Sequence, residues 1–342
     1  MPITADTIRL MKRLSLDLEG VVDRGQKELL AAYVDAWDLV VNDLQDALLD
    51  LAERGELTQT QVQRSSRIAS ALQAIADQLD GLAAQSAVVI TDGAGQVTSI
   101  SVAAQAAIAG TQLPAAGYPL VSVNPDVIGS IVARTSQNIT ARTRPLADAG
   151  KDAVRKALVR GASAADNPVK VARDMVRLAR AGAVDLPLWR AEAIARTELL
   201  DASRAATQAW GMANSKTLRG WRWLSSLSAT TCPACWSRHG TEHPLTETGP
   251  DGHPNCRCSR TLITKSWADL GIDLDEPADS FPDAQSVFGR LPRDQQLAIM
   301  GPARLKALDD GAPWSQLAVE KPNAEWRRSF QVRPVRDLAA AV

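Results

Sequence analysis

The amino-acid sequence predicts a mainly α-helical protein with one small β unit, an α+β fold class. Apolar residues recur every three or four positions along most of the first 214 residues, which is the period of an α-helix. All four cysteines and all three histidines, by contrast, fall between positions 232 and 258. Two short segments of alternating apolar and polar residues flank this cluster, as strands would.

The first 120 residues are predicted to form long helices. The helical period runs through residues 5–52, breaks at Gly55 and resumes over residues 58–82. Within residues 84–123 the dipeptide Asp92-Gly93 is a turn signal, and the apolar segments 87–91 and 97–100 on either side of it fit a hairpin or a helix break. The Ala-rich residues 103–109 that follow are typical of a helix. The sequence therefore predicts a helix–loop–helix in this stretch.

Three further helices are expected before residue 215. Asn124 followed by Pro125 is typical of a helix start, and a helix or helix pair is expected from there to Gly161. A short helix is expected over residues 163–180, and a last long helix from Leu186 to Asn214.

The helical half is poor in aromatic residues, since only three precede Trp189. Ala, Leu and Val side chains favour close helix–helix packing, as in bundles. The same composition fits helices whose apolar stripes are covered by the surface of a partner protein. In both cases the stripes are interpreted as packing surfaces and not as a cofactor site.

The β unit is predicted from two candidate strands, residues 220–224 and 258–264, which enclose the Cys/His segment. So small a unit has little core of its own, and a bound metal ion would contribute to its folding.

The cysteine spacing is that of a metal site: Cys232 and Cys235 are separated by two residues, and Cys256 and Cys258 by one. The two pairs facing each other would offer four thiolates, which suits tetrahedral Zn²⁺. His253 is an alternative ligand that would give a Cys3His set. Structural zinc is the favoured interpretation, while two disulfides and four reduced thiols remain open alternatives.

Two other histidines, His239 and His243, are expected to be ordinary loop residues. A catalytic zinc is not expected, because four candidate thiolates fill the coordination sphere and leave no open position.

The near-neutral net charge of −1 is a sum over unlike blocks. Residues 1–100 carry a charge of −7, residues 101–265 carry +9, and residues 266–342 carry −3. Eight basic residues of the middle block recur at helical spacing. They are Lys151, Arg155, Lys156, Arg160, Lys170, Arg173, Arg177 and Arg180. They form either a solvated helix face or a surface for nucleic acid or an acidic partner.

Several classes of function are not supported by the sequence. All four cysteines are accounted for by the cluster, so no nucleophilic catalytic site is predicted. The chain lacks the Gly-rich phosphate loop of an NTP-driven motor. It also lacks a run of about 18 apolar residues that would span a membrane and the features of a signal peptide. A soluble protein made in the cytoplasm, with no membrane partner, is expected.

Three features together resemble one family, the phage Mu F-like minor head proteins of tailed bacteriophages. They are the helix segment 190–198, the pair Trp221 and Trp223, and the Cys/His segment from Thr231-Cys-Pro-Ala-Cys235 to Gly252-His-Pro-Asn-Cys-Arg-Cys258. The resemblance covers roughly residues 125–264.

The resemblance implies a structural minor capsid protein that acts in head morphogenesis and DNA packaging and has no enzyme activity. The implied partners are the phage portal protein, the major capsid or scaffold protein, and packaged double-stranded DNA. The implied location is the virion, inside the phage head, after assembly in the host cytoplasm.

The family motif maps onto Arg196, Thr197, Glu198 and Arg257. Arg196 and Glu198 cannot pair on one helix face at this spacing, so each is expected to reach a different neighbour and to brace the β unit. Arg257 stands between two cysteines on a strand, so it is expected to point away from them.

The expected organisation is an N-terminal helical arm or bundle at 1–120, a Mu F-like domain at 121–264 and a C-terminal tail with short helices at 265–342. The Cys/His β unit occupies 219–264.

Two rival functions are weighed against a head protein. A zinc-ribbon nucleic-acid-binding protein fits the basic middle block. An HNH-like nuclease is suggested by Asp251, His253 and Asn255, but that chemistry needs a second metal-binding histidine further along the chain. No histidine follows His253.

Overall fold

The computed structural model describes residues 3–114, 118–161, 168–323 and 327–338. These residues form a mainly helical protein with a few short antiparallel strands, as predicted. The helices before residue 215 are α1 (Ala5–Glu53), α2 (Gln59–Arg64), α3 (Ser66–Gly110), α4 (Pro125–Gly161), α5 (Pro168–Arg180) and α6 (Leu186–Ala213). A π-helical segment, Ala181–Asp185, joins α5 to α6.

The remaining elements are short. In the first sheet, strand β1 (Leu218–Leu224) lies between β2 (Glu242–Pro244) and β3 (Ser259–Thr264), and both pairings are antiparallel. Helix α7 (Pro233–Arg238) lies between β1 and β2 in the chain. The elements after β3 are α8 (Ala284–Gly289), α9 (Arg293–Met300), α10 (Pro302–Asp309), β4 (Ala318–Lys321) and β5 (Ser329–Val332).

Most of the predicted helix limits are confirmed. The chain breaks at Gly55 between α1 and α2, and α4 begins directly after Asn124, whose side chain accepts a hydrogen bond from the backbone N–H of Asp126. The predicted start of the short helix at residues 163–167 lies outside the described residues. Its end at Arg180 is confirmed, although the π-helical segment continues directly into α6.

The helix–loop–helix predicted for residues 84–123 is wrong, because α3 continues without interruption through Asp92 and Gly93 to Gly110. A Cβ atom at Gly93 would lie 3.1 Å from the side chain of Leu199. The glycine therefore lets a neighbouring helix approach closely. Local turn propensity is overridden by this tertiary packing.

The chain divides into two compact units. Unit 1 comprises residues 1–19, 97–131 and 200–342, and unit 2 comprises residues 20–96 and 132–199.

Unit 2 is helical. Tyr33 and Trp37 of α1, Leu79 of α3 and Val184 of the π-helical segment are buried and line one small internal cavity. The π-helical segment also meets α4 closely, since a Cβ atom at Gly182 would lie 2.4 Å from the Cβ of Ala153.

Unit 1 contains the first sheet, and its described residues include two apolar cores. One core surrounds Trp210, Trp221, Trp223 and Leu262, and three of the cysteines belong to it. The other surrounds Trp236 of α7, and its remaining members come from residues 284–317.

Among the described residues, one helix, α3, is long and apolar enough to cross a membrane by length and composition. The core helices of proteins that never enter a membrane meet the same criterion. Several polar side chains of α3 are buried against the rest of the protein, among them Ser86, Thr98, Ser101 and Gln105. We therefore interpret α3 as a core helix.

The close contact at Gly182 predicts a stability difference between two glycine variants. Gly182→Ala places a methyl group against Ala153 and should lower the free energy of unfolding by about 1–3 kcal/mol. Gly81→Ala is the matched control, because nothing lies within 4 Å of its Cβ position in α3, and it should raise that free energy by about 0.5–1 kcal/mol. Urea unfolding measures both. Equal midpoints for the two variants would contradict the packing at this crossing.

Candidate metal centre

The first two candidate ligands lie at the start of α7. Cys232 is the N-cap residue of this helix, and its Sγ accepts a hydrogen bond from the backbone N–H of Cys235 at 3.4 Å. Pro233 occupies the first turn, where its missing N–H costs no hydrogen bond. The cap and the Cys-x2-Cys spacing together place both sulfurs on one side of a single helical turn.

The other candidate ligands lie in the segment that leads into β3. The backbone N–H of Cys256 bonds to the carbonyl of His253 at 3.0 Å, which closes a turn. Asn255 in this turn has a φ of 65°, a left-handed conformation that asparagine tolerates better than most residues. Cys258 directly precedes β3. This turn presents His253, Cys256 and Cys258 to the start of α7.

The structure brings all five predicted ligands together. The Nε2 atom of His253 lies 3.2 Å from the Sγ of Cys232 and 3.7 Å from the Sγ of Cys235. The Sγ atoms of Cys235 and Cys256 are 3.7 Å apart. The donor atoms form two groups of three, with Cys235 in both. The atoms within each group lie within 4.8 Å of one another.

These distances fit a tetrahedral zinc ion. With bond lengths of about 2.3 Å to sulfur and about 2.0 Å to nitrogen, the edges of the tetrahedron are about 3.8 Å between sulfurs and about 3.5 Å between sulfur and nitrogen. The four cysteines are free thiols in the structure, and the separation between Cys235 and Cys256 is far longer than an S–S bond.

The orientation of His253 also suits metal binding. Its Nδ1 lies 2.7 Å from the carbonyl oxygen of Pro254. Since a carbonyl oxygen only accepts, the Nδ1–H must donate. With its Nδ1–H engaged in this way, Nε2 faces the cysteine sulfurs, and release of its proton on metal binding would leave a lone pair for the ion. Metal-binding histidines are commonly held by such a second hydrogen bond.

Thiolates are the form that binds metals, and the electrostatics favour them at Cys232 and Cys256. Hydrogen bonds to Cys235 and then to His253 lower the pKa of Cys232 to about 5, against the opposing effect of burial. The hydrogen bond to Cys232 raises the pKa of His253 to about 9. Hydrogen bonds from Cys235 and Cys258 hold the pKa of Cys256 well below its usual value, with the charge of Arg204 adding to the effect. The hydrogen bond to Cys232, by contrast, raises the pKa of Cys235. The pKa of Cys258 is raised as well, because the lowering effect of the hydrogen bond to Cys235 is outweighed by the hydrogen bond to Cys256 and by burial.

Arg204, a buried arginine of α6, forms hydrogen bonds with the backbone of the segment that carries Cys256 and Cys258. Its Nη2 donates to the carbonyl of Cys256 at 2.6 Å and to that of Cys258 at 2.7 Å, and its Nε donates to the latter as well. Asp201 pairs with the remaining nitrogen of Arg204 at 2.5 Å. Ser225 contributes a hydroxyl group 3.2 Å from the Sγ of Cys258. Arg204 therefore fixes the backbone and places a positive charge beside the sulfurs.

Glycine is required beside the cluster at position 252. A Cβ atom there would lie 2.3 Å from the Sγ of Cys256, so any other residue would displace that sulfur.

The other two histidines are engaged elsewhere, but neither is the ordinary loop residue expected from the sequence, because His239 is buried at the C-cap of α7 and His243 lies in β2. His239 accepts from the N–H of Ser225 and lies 3.1 Å from the carbonyl of Pro282, and burial lowers its pKa to about 4, which keeps it neutral. His243 stacks on Trp221 with 4.2 Å between ring centroids and pairs with Glu247 at 2.9 Å.

The predicted motif residues lie as follows. Arg196 donates to Gln26 of α1 at 2.9 Å. Thr197 donates to the carbonyl of Ala193 at 2.7 Å, and the buried Glu198 pairs with Arg142 of α4. Arg196 and Glu198 thus contact different helices of unit 2.

Arg257 is exposed, whereas Cys256 and Cys258 on either side of it are buried. One residue that sequence reasoning missed is Arg204, two helical turns beyond Arg196. No recognised sequence motif includes position 204. A buried arginine on the apolar face of α6 is recognisable only once its contacts are known.

The fold and the site define a mainly helical protein with a Cys/His-bearing β unit set into its core. Residues 150–261 match the family model described as phage Mu protein F like protein. The matched segment contains the five candidate ligands and the motif residues of α6, so the resemblance predicted from the sequence is confirmed there. No curated protein and no solved structure matches the chain.

The close contact at Gly252 predicts a selective loss of metal binding. Gly252→Ala displaces Cys256 and should weaken the affinity for Zn²⁺ at least tenfold, measured by competition with a chromophoric chelator. Gly289→Ala is the control, because nothing lies within 4 Å of its Cβ position. Equal zinc affinities of the two variants would show that Cys256 is not a ligand.

Proposed function

We propose that this protein is a minor capsid protein that binds the portal during assembly of a tailed phage and ends inside the head. The observation that carries the proposal is the family match over residues 150–261, since the Mu F-like family implies a phage head morphogenesis protein. Long helices with exposed apolar side chains, such as Leu16, Leu39 and Trp189, are compatible with further protein partners.

We propose that the Cys/His cluster binds one structural Zn²⁺ ion. Four of the five donors Cys232, Cys235, His253, Cys256 and Cys258 would hold it. The chemistry of the donor set, the tetrahedral spacing of the sulfurs and the buried charge of Arg204 support this assignment. The ion would stabilise the β unit. Helix α7 has six residues and strand β2 has three, and elements this short are not stable alone.

We propose a structural role rather than catalysis. The candidate donors are sufficient to fill a tetrahedral sphere, and three of the four cysteines are buried. A catalytic zinc would need an open position for water or substrate. His239 and His243, the other histidines of the chain, are engaged in hydrogen bonds away from the cluster.

The basic middle block supports a contact with double-stranded DNA. In α5 the buried residues Val171, Ala172, Met175 and Ala179 define one face of the helix. The opposite face carries four exposed basic residues. They are Lys170, Arg173, Arg177 and Arg180. Such a stripe suits the regular spacing of phosphates. It also favours the second candidate function, a zinc-ribbon nucleic-acid-binding protein acting outside the virion.

The decisive experiment for the main proposal is co-purification with the portal and capsid proteins of the same phage. The wild-type chain should be recovered with the portal, and assembled heads should contain it. The variants Cys232→Ser and Cys256→Ser should be recovered less, because the β unit loses its ion. A wild-type chain that associates with neither protein would overturn the proposal.

A second prediction separates DNA contact from overall charge. Replacing Lys170, Arg173 and Arg180 with Ala should make the slope of log binding constant against log salt concentration shallower by about 3 units, since each lost phosphate contact contributes roughly 0.9. The control replaces Arg290, Lys306 and Arg336 with Ala, which changes the net charge equally. Gel shifts at 50–300 mM salt measure both. The same slope in both variants would contradict DNA binding by α5.

A further inference from the structure

The C-terminal segment, residues 284–323 and 327–338, contacts the candidate metal centre at three places. The contacts fall on α7, on the loop that carries His253 and Cys256, and on the Asp201–Arg204 pair of α6.

The first contact is through helix α7. Cys235 faces the other ligands, while the next residue, Trp236, is fully buried in the core formed with the C-terminal segment. Its ring packs edge-to-face on Phe288 with 5.6 Å between centroids. A single six-residue helix thus joins the cluster on one side to the C-terminal core on the other.

The second contact is with the loop that carries His253 and Cys256. The backbone N–H of Phe330 in β5 donates to the carbonyl of Asp251 at 2.7 Å, and Gly252 forms an isolated parallel bridge with Phe330. Gly252 is the residue packed directly against the Sγ of Cys256. The ring of Phe330 also packs edge-to-face on Trp223, with the guanidinium of Arg238 4.3 Å from its centroid.

The third contact is electrostatic. Arg327 pairs with Asp201 at 2.9 Å and with Asp251 at 3.2 Å. Asp201 is also the partner of Arg204, which holds the carbonyls of Cys256 and Cys258. Arg327 therefore connects the C-terminal segment to the ligand-bearing loop in two ways. It pairs with Asp251 in that loop and with Asp201, the partner of Arg204.

We infer that the C-terminal segment completes the metal centre, with Arg327 and Phe330 as positioning residues, and that zinc binding and docking of this segment are thermodynamically coupled. The inference rests on the zinc site proposed above. The bound ion fixes α7 and the loop at 251–258, and these are the surfaces to which the segment docks. Coupling between two binding equilibria is reciprocal, so docking of the segment strengthens zinc binding by the same factor by which zinc strengthens docking, and variants that populate the undocked state lose zinc affinity. Loss of zinc would release the C-terminal segment and expose Trp236.

The test uses the full-length chain and measures how docking of the segment affects zinc affinity and how zinc affects docking. Arg327→Gln and Phe330→Leu should each weaken zinc affinity about tenfold, the size expected for residues that support metal ligands. Phe330→Leu keeps an apolar side chain, so the segment retains much of its packing. Arg336→Gln is the control, because the Arg336 side chain is 85% exposed and lies against its neighbour Asp337. Competition with a chromophoric chelator gives the dissociation constants.

In the reverse direction, removing zinc from the wild-type chain should raise the rate of hydrogen exchange in residues 296–305 and 329–332 at least tenfold. Exchange in residues 75–94 of α3, in the other unit, should not change. Exchange in the C-terminal segment that is the same with and without zinc would overturn the inference, as would unchanged zinc affinity in both variants. Either result leaves portal binding untouched, since co-purification tests that separately.

Discussion

The contact on which the rest of unit 1 depends is the meeting of Cys235 and Cys256, whose sulfurs lie 3.7 Å apart. It joins a helix start to a loop that is 21 residues further along the chain. Thiolates held this closely repel one another unless a cation lies between them. An ion at this point would offset this repulsion and connect the two parts of the β unit. The short elements around it require such a contribution, because β2 has three residues and α7 has six.

Two layers of the protein surround this contact. Arg204 approaches from α6 and neutralises part of the negative charge while holding two carbonyl groups. The C-terminal segment approaches from the other side, where it packs on Trp236 of α7 and contributes Phe330 and Arg327. The cluster therefore lies at the junction of three parts of the chain that are distant in sequence. The proposed ion would stabilise contacts among all three parts.

The cluster itself could be predicted from sequence because the four cysteines and His253 follow local spacing rules for a tetrahedral ion. The long helices were predictable for a similar reason, since their apolar period repeats over many turns. The break expected at Asp92-Gly93 was wrong because a turn signal is local, whereas the packing of Gly93 against Leu199 is tertiary. Arg204 and Phe330 were missed for the same reason. Each acts through backbone groups of distant residues, and no spacing in the sequence encodes such contacts.

The central claim is that the cluster is a zinc site, and the metal content of the purified protein tests it most directly. Protein expressed without added chelator should contain one zinc ion per chain by mass spectrometry, and its four thiols should react with a thiol reagent only after the metal is removed. Less than about 0.2 equivalents of zinc, with all four thiols titrating freely, would contradict the account.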